Sequence, residues 1–240
     1  MTRVAIIAAM RGELKPLVRG WKRESRDGVD LWRWRYDQGE WVAACAGAGV
    51  EAATRAFSAV EKDGTLDLVV STGWAGALRE EFAPGRAYWL SGVIDVRTGE
   101  RFPVASAQGE CLLATSPGVA GETEKRRLAA AYSAGLVDME AAAVARMAEM
   151  RGIPFDCIKG VSDGFADKLP DFNRFLLSDG HFRLTRFVLF AVLRPWYWPA
   201  LMRMGENSKR AAQGMAESLL DFLDERGHIR KRNGYPNFKR

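Results

Sequence analysis

Residues 135–167 read GLVDMEAAAVARMAEMRGIPFDCIKGVSDGFAD, and this stretch restricts the possible folds more than any other. Val137, Met139, Val144, Met147 and Met150 give a helix-like apolar spacing after a short strand. Ile153 to Val161 then reads as a second buried strand, entered through Pro154. The result is a strand, helix, strand unit with acids at its ends. Asp138 and Glu140 lie where the first strand meets the helix, and Asp163 lies just past the second strand. Ligands of open α/β sheets collect outside the carboxyl ends of strands, so these carboxylates are well placed for chemistry.

The first 80 residues repeat the theme. Arg3–Ala9 is a strand that turns through Met10, Arg11, Gly12 and Glu13 into a helix containing Leu14, Leu17 and Val18. Leu31–Tyr36 and Trp41–Ala46 read as a hairpin, and Gly47-Ala48-Gly49 opens a helix with Val50, Ala53, Phe57 and Val60 on one face. Asp67–Ser71 is a further strand, ending in Thr72-Gly73-Trp74-Ala75-Gly76. Strand candidates at Ala87–Val96 and Cys111–Thr115, then a charged helix at Glu122–Ala131, complete the middle. This alternation predicts an α/β fold, a twisted mixed sheet flanked by helices. A single domain is expected over residues 1–225, with 172–225 as its helical, aromatic-rich part and 226–240 as a basic tail.

The formal net charge is +5, but residues 226–240 hold six Lys or Arg and no acid, which leaves −1 for residues 1–225. The body has no basic stripe with interleaved stacking aromatics, so nucleic acid is not the expected partner. Cys45, Cys111 and Cys157 are far apart in apolar surroundings, as reduced thiols of a cytoplasmic protein would be. With only His181 and His228, and no CxxC pair, no metal site is expected, and the N-terminus runs directly into a strand without a leader.

Four segments, in order, resemble the nucleoside phosphorylase and nucleosidase superfamily, most closely its methylthioadenosine/S-adenosylhomocysteine nucleosidase branch. Residues 6–13, IIAAMRGE, are similar to the opening strand and catalytic glutamate of that branch. Residues 72–76, TGWAG, are similar to a segment that usually has serine where Trp74 stands. Residues 137–143, VDMEAAA, resemble the ribose-binding Val-Glu-Met-Glu segment, and 159–163, KGVSD, the Arg-x-Ile-Ser-Asp segment. The resemblance implies a nucleoside phosphorylase-like fold, assembly as a homodimer or larger homo-oligomer, and no metal or organic cofactor; phosphate would be co-substrate only in a phosphorylase.

Cleaving an N-glycosidic bond to a purine requires a proton for the departing base, a base for the nucleophile, and contacts that hold the ribose as charge develops at C1′. By the resemblance, Asp163 is the acid at N7, kept protonated by burial and oriented by Ser162. Glu13 activates water, Glu140 accepts from the ribose hydroxyls, and Met139 packs on the sugar. Lys159 stands for the family arginine near the water or phosphate, a point charge in place of a planar fork. Val119 falls in the shortened base-contacting region, and Phe172 matches an aromatic near the 5′ end. Without the resemblance, Glu13 and Glu140 read more readily as first-turn charges on helix dipoles than as site residues, and Ser162-Asp163 equally well as a turn or cap. Trp74 fills space where a hydroxyl would line a phosphate site, which favours water as nucleophile. The expected substrate is an adenine-type purine nucleoside cleaved by hydrolysis. Phosphorolysis is one alternative, and a weakened nucleoside-binding or membrane-surface protein is another.

Residues 172–204 hold eight aromatics and five arginines against one acid, Asp179. A helix over His181–Arg194 would place Arg183, Arg186 and Arg194 on one face. The apolar run 187–193 is shorter than the ~20 residues of a bilayer span, and Pro195 and Pro199 break it. Its apolar side is read as core or subunit interface, or as a peripheral membrane-facing groove for a substrate with a greasy 5′ substituent. Together with the VDME variant at 137–140 and the short middle, this C-terminal segment resembles hopanoid-associated phosphorylases, which act on adenosylhopane. A final amphipathic helix carries Met215, Leu219, Phe222 and Leu223.

Overall fold

The computed structural model describes residues 2–36, 39–106, 109–175 and 183–225. The basic tail, His181, Phe182, Asp179 and His228 lie outside the described residues. The strands are β1 Thr2–Ala8, β2 Lys22–Arg26, β3 Val29–Tyr36, β4 Gly39–Cys45, β5 Leu68–Ser71, β6 Trp74–Ala77, β7 Ala87–Asp95, β8 Arg101–Pro103, β9 Cys111–Thr115, β10 Leu136–Asp138 and β11 Phe155–Asp163. The helices are α1 Arg11–Leu14, α2 Val50–Glu61, α3 Glu122–Tyr132, α4 Ala141–Glu149, α5 Leu184–Val192 and α6 Trp198–Glu225. The sheet order is β2-β3-β4-β1-β5-β11-β6-β10-β9-β7-β8, and β11 also pairs with β7. The expected twisted mixed α/β architecture is present.

β11 is the hinge of this topology. Residues 155–157 run parallel to β5, residues 158–160 antiparallel to β7, and residues 160–163 parallel to β6. All nine of its residues are buried. A strand covered on both faces is ordinarily an unbroken apolar run, so the polar Asp156, Lys159, Ser162 and Asp163 each need a partner.

Strand periodicity divides the core into two layers. Ala5 and Ile7 of β1 face α2 and α4, whereas Val4, Ile6 and Ala8 face α6 with its Met215, Leu219, Phe222 and Leu223. Helix α6 packs so close to β11 that a Cβ on Gly160 would come within 2.8 Å of the Ala211 Cβ.

Several local expectations change. α1 lasts only four residues, and Leu17 and Val18 are buried from the turn that follows it. β2, β6 and β8 are additional strands. On α4 the buried face is a run of alanines with Val144, while Met150 is 75% exposed. α5 begins at Leu184, and α6 begins seventeen residues before Met215, with Pro199 in its first turn, where a missing N–H costs nothing. Asp163 is the last residue of β11 and not beyond it. Among the described residues no helix is long and apolar enough to cross a membrane.

Candidate active site

Glu13 is fixed by the local geometry of α1. Met10 is the N-cap, and Glu13 reaches back so that its Oε2 accepts from the N–H groups of Ala9 (2.9 Å) and Met10 (2.6 Å). Its Oε1 accepts from the Trp74 N–H at 2.8 Å. That approach requires glycine at position 73, which has φ +135° and whose Cβ would lie 2.9 Å from Oε1. Three backbone donors leave one carboxylate lone pair for a ligand. Burial raises the Glu13 pKa, and the N–H groups of Met10 and Trp74 and the charge of Lys159 offset part of the rise.

Glu140 is the N-cap of α4, and its Oε1 accepts from the Gly49 N–H at 2.6 Å. Gly49 opens α2 with φ +89°, so the glycine-rich turn holds a carboxylate of the protein. Burial, followed by the neighbouring Asp138 charge, raises Glu140 to about 7.

Asp138 accepts from Thr115 Oγ1 (2.7 Å) and the Ala141 N–H (2.9 Å), and is ion-paired to Lys159 at 2.9 Å. Lys159 is 1% exposed and spends its other donors on Ser71 Oγ and the Thr72 carbonyl, each 3.2 Å away. Burial lowers its pKa, but Asp138 and Glu140 more than reverse this. The expectation that Lys159 meets water or phosphate is therefore corrected. It lies beneath the site, does not border the cavity, and acts on Glu13 and Glu140 only through its charge.

Asp163 accepts from Ser162 Oγ (2.6 Å) through Oδ1 and from Lys125 Nζ (2.5 Å) through Oδ2. Lys125 borders the candidate site, and the motif reading did not single it out. Its one sequence signal is its position three residues before Leu128, which makes it the charged member of the buried face of α3.

These groups border one cavity of about 350 Å³. Glu13, Asp138, Glu140 and Asp163 supply carboxylates, Lys125 an ammonium, and Met139, Trp74, Phe172, Phe187 and Met204 an apolar flank; Ser162 and Val119 also border it. Trp74 lies over Gly12, and its indole N–H donates to the Ser208 carbonyl of α6 at 2.9 Å. Val119 exchanges two hydrogen bonds with the Asn173 side chain, 2.8 and 2.9 Å, which ties its loop to the turn Phe172–Phe175. Phe172 and Phe187 have ring centroids 5.5 Å apart. The three cysteines are free, and burial pushes each thiol up to about 12.

A mixed sheet with carboxylates gathered over one cavity is an arrangement suited to acid and base chemistry. The chain belongs to the phosphorylase superfamily, whose family model matches residues 3–111 and 110–184, and it is an enzyme that acts on nucleosides. Its fold is similar to a futalosine hydrolase mutant of Helicobacter pylori (TM-score 0.71, 16% identity, 94% of this chain and 100% of the other). It is also similar to the 5′-methylthioadenosine/S-adenosylhomocysteine nucleosidase of the same organism (0.71, 16%, 94% and 99%) and to Arabidopsis thaliana 5′-methylthioadenosine nucleosidase (0.69, 18%, 98% and 98%). No curated protein sequence matches the chain.

Proposed function

We propose that the enzyme hydrolyses the N-glycosidic bond of a purine nucleoside, of the adenine type, that carries an apolar 5′ substituent. The observation that carries this is the convergence of Glu13 from α1, Glu140 from the start of α4 and Asp163 from the end of β11 on one cavity with an aromatic flank. The ribose hydroxyls donate to Glu140, with Met139 against the sugar. Water on the remaining lone pair of Glu13 attacks C1′ and gives up a proton to that carboxylate. The base leaves on the side of Asp163 and Ser162. Water is favoured over phosphate because four carboxylates and a single ammonium border the cavity, and Lys159 is committed to Asp138, so a phosphate dianion would meet repulsion. The reading uses no metal or organic cofactor.

The test is chromatographic detection of free base from adenosine, methylthioadenosine, S-adenosylhomocysteine and a 5′-alkylthio adenosine, with and without phosphate. Base release without phosphate, abolished in Glu13→Gln and Asp163→Asn, supports the reading. Release that requires phosphate would make the enzyme a phosphorylase and refute hydrolysis.

The apolar 5′ group is favoured by one further feature. α5 presents Phe187 to the cavity, while Val188, Leu189 (63% exposed) and Val192 face solvent beside Trp196 (68%), Trp198 and Met202. Arg183, Arg186 and Arg203 are exposed around this surface, and residues 180–205 contain no acid. An anionic bilayer complements that charge and apolar area. Flotation with phosphatidylglycerol vesicles, lost in Leu189→Glu/Val192→Glu and weak with phosphatidylcholine alone, is the expected result. A doubled mass in solution that the same substitutions halve would instead identify the surface as a contact between two copies of the chain.

A further inference from the structure

Lys125 is nearly inaccessible, and burying an ammonium is costly unless acceptors surround it. Two of its three N–H donors are used among the described residues, on Asp163 Oδ2 at 2.5 Å and on the Gly164 carbonyl at 2.7 Å. The third is free for a ligand in the cavity that Lys125 borders. Glycine at position 76 makes room for the pair, since a Cβ there would lie 3.1 Å from both Asp163 Oδ2 and Lys125 Cε. Position 125 is reached from α3, whose first turn closes with the Lys125 N–H on the Gly121 carbonyl, so the lysine is delivered by an element separate from the motif that bears Asp163.

We infer that Lys125 and Asp163 act as one unit, in which Lys125 supplies the proton that the departing purine receives. This rests on the proposed glycosidic cleavage. As the C1′–N9 bond breaks, its electron pair goes to the base, and the Asp163 carboxylate passes to N7 a proton that it takes from the Lys125 ammonium through the Oδ2 contact, which leaves Lys125 neutral. The water oxygen bonds to C1′, and Glu13 takes the water proton. Solvent returns the proton from Glu13 to Lys125 between turnovers, so the sum is nucleoside plus water giving free base plus ribose. A lysine whose only task is to anchor α3 to the end of β11 would leave leaving-group chemistry unchanged, and this separates the two roles.

The experiment compares nucleosides whose base needs a proton with substrates whose leaving group needs none, 7-methylguanosine and 4-nitrophenyl β-D-riboside. Lys125→Met removes the proton source, and Lys125→Gln keeps a hydrogen-bond donor for α3 while removing it. The expected result is a loss of about 100-fold or more in kcat/KM for the purine nucleosides, the scale of general acid catalysis, and less than about tenfold for the activated substrates. Asp163→Asn should show the same selectivity. Equal losses on both substrate classes, or undiminished cleavage of the purine nucleosides, would overturn the inference. Wild-type enzyme that releases no base from any nucleoside would instead refute the reading beneath it, and that outcome is visible before any variant is assayed.

Discussion

Replacing Lys159 with methionine removes the cation beneath the site and leaves the Asp138 carboxylate buried with two hydrogen bonds, from Thr115 Oγ1 and the Ala141 N–H. Breaking a buried ion pair on one side costs about 3–5 kcal/mol, and Ser71 and the Thr72 carbonyl also lose a donor. For a chain of this size that corresponds to a fall in Tm on the order of 10 °C. The kinetic effect has a defined sign. Glu140 must be a carboxylate to accept from ribose hydroxyls, so kcat/KM should fall as pH drops through about 7, its raised value in the fold. Lys159 holds both Glu140 and Glu13 down, so Lys159→Met should move this acid limb to higher pH. Adding Asp138→Asn removes the stronger opposing charge on Glu140, so the double variant should regain much of the lost stability and bring the limb back. Urea unfolding and a pH series of initial rates measure both effects. A single variant destabilised by less than about 1 kcal/mol, or a double variant no more stable than the single, would refute the account of Lys159 as a buried counter-charge.

Two further outcomes follow from packing. Gly160→Ala should destabilise by about 1–3 kcal/mol in thermal melts, because the new methyl meets the Ala211 Cβ at 2.8 Å and α6 cannot retreat without opening the core on that face. Trp74→Ser should lower stability by loosening the indole link to Ser208, yet gain no phosphate dependence, since the carboxylates that repel phosphate remain; phosphate-stimulated base release by this variant would return the choice of nucleophile to Trp74.

The succession of strands and helices was legible because it depends on short-range pattern, whereas the candidate site residues stood out only through the resemblance, since Glu13 and Glu140 otherwise read as first-turn charges. The 135–167 unit carries its two strands and helix in local periodicity, and its acids lie at strand ends whatever the rest of the chain does. Pairings between distant strands were not legible. Lys159 and Asp138 meet because β6 pairs with both β10 and β11, an arrangement that local sequence does not encode. The exposed apolar side of α5 was hidden for a different reason: a helix with an apolar face reads the same whether the protein covers that face or leaves it to solvent, and Leu189 and Val192 are left to solvent.

The two buried lysines also explain how four carboxylates share one cavity. Asp138 and Asp163 end adjacent parts of the sheet, and each has an ammonium within hydrogen-bonding distance, Lys159 and Lys125. Glu13 and Glu140 lean on backbone N–H groups in place of a paired ammonium, and burial raises both of their pKa values. In the proposed reaction these two exchange protons or hydrogen bonds with water and ribose. Of the two with cations, only the Asp163 pair has its lysine on the cavity, on the side that the proposed reaction gives to the leaving base.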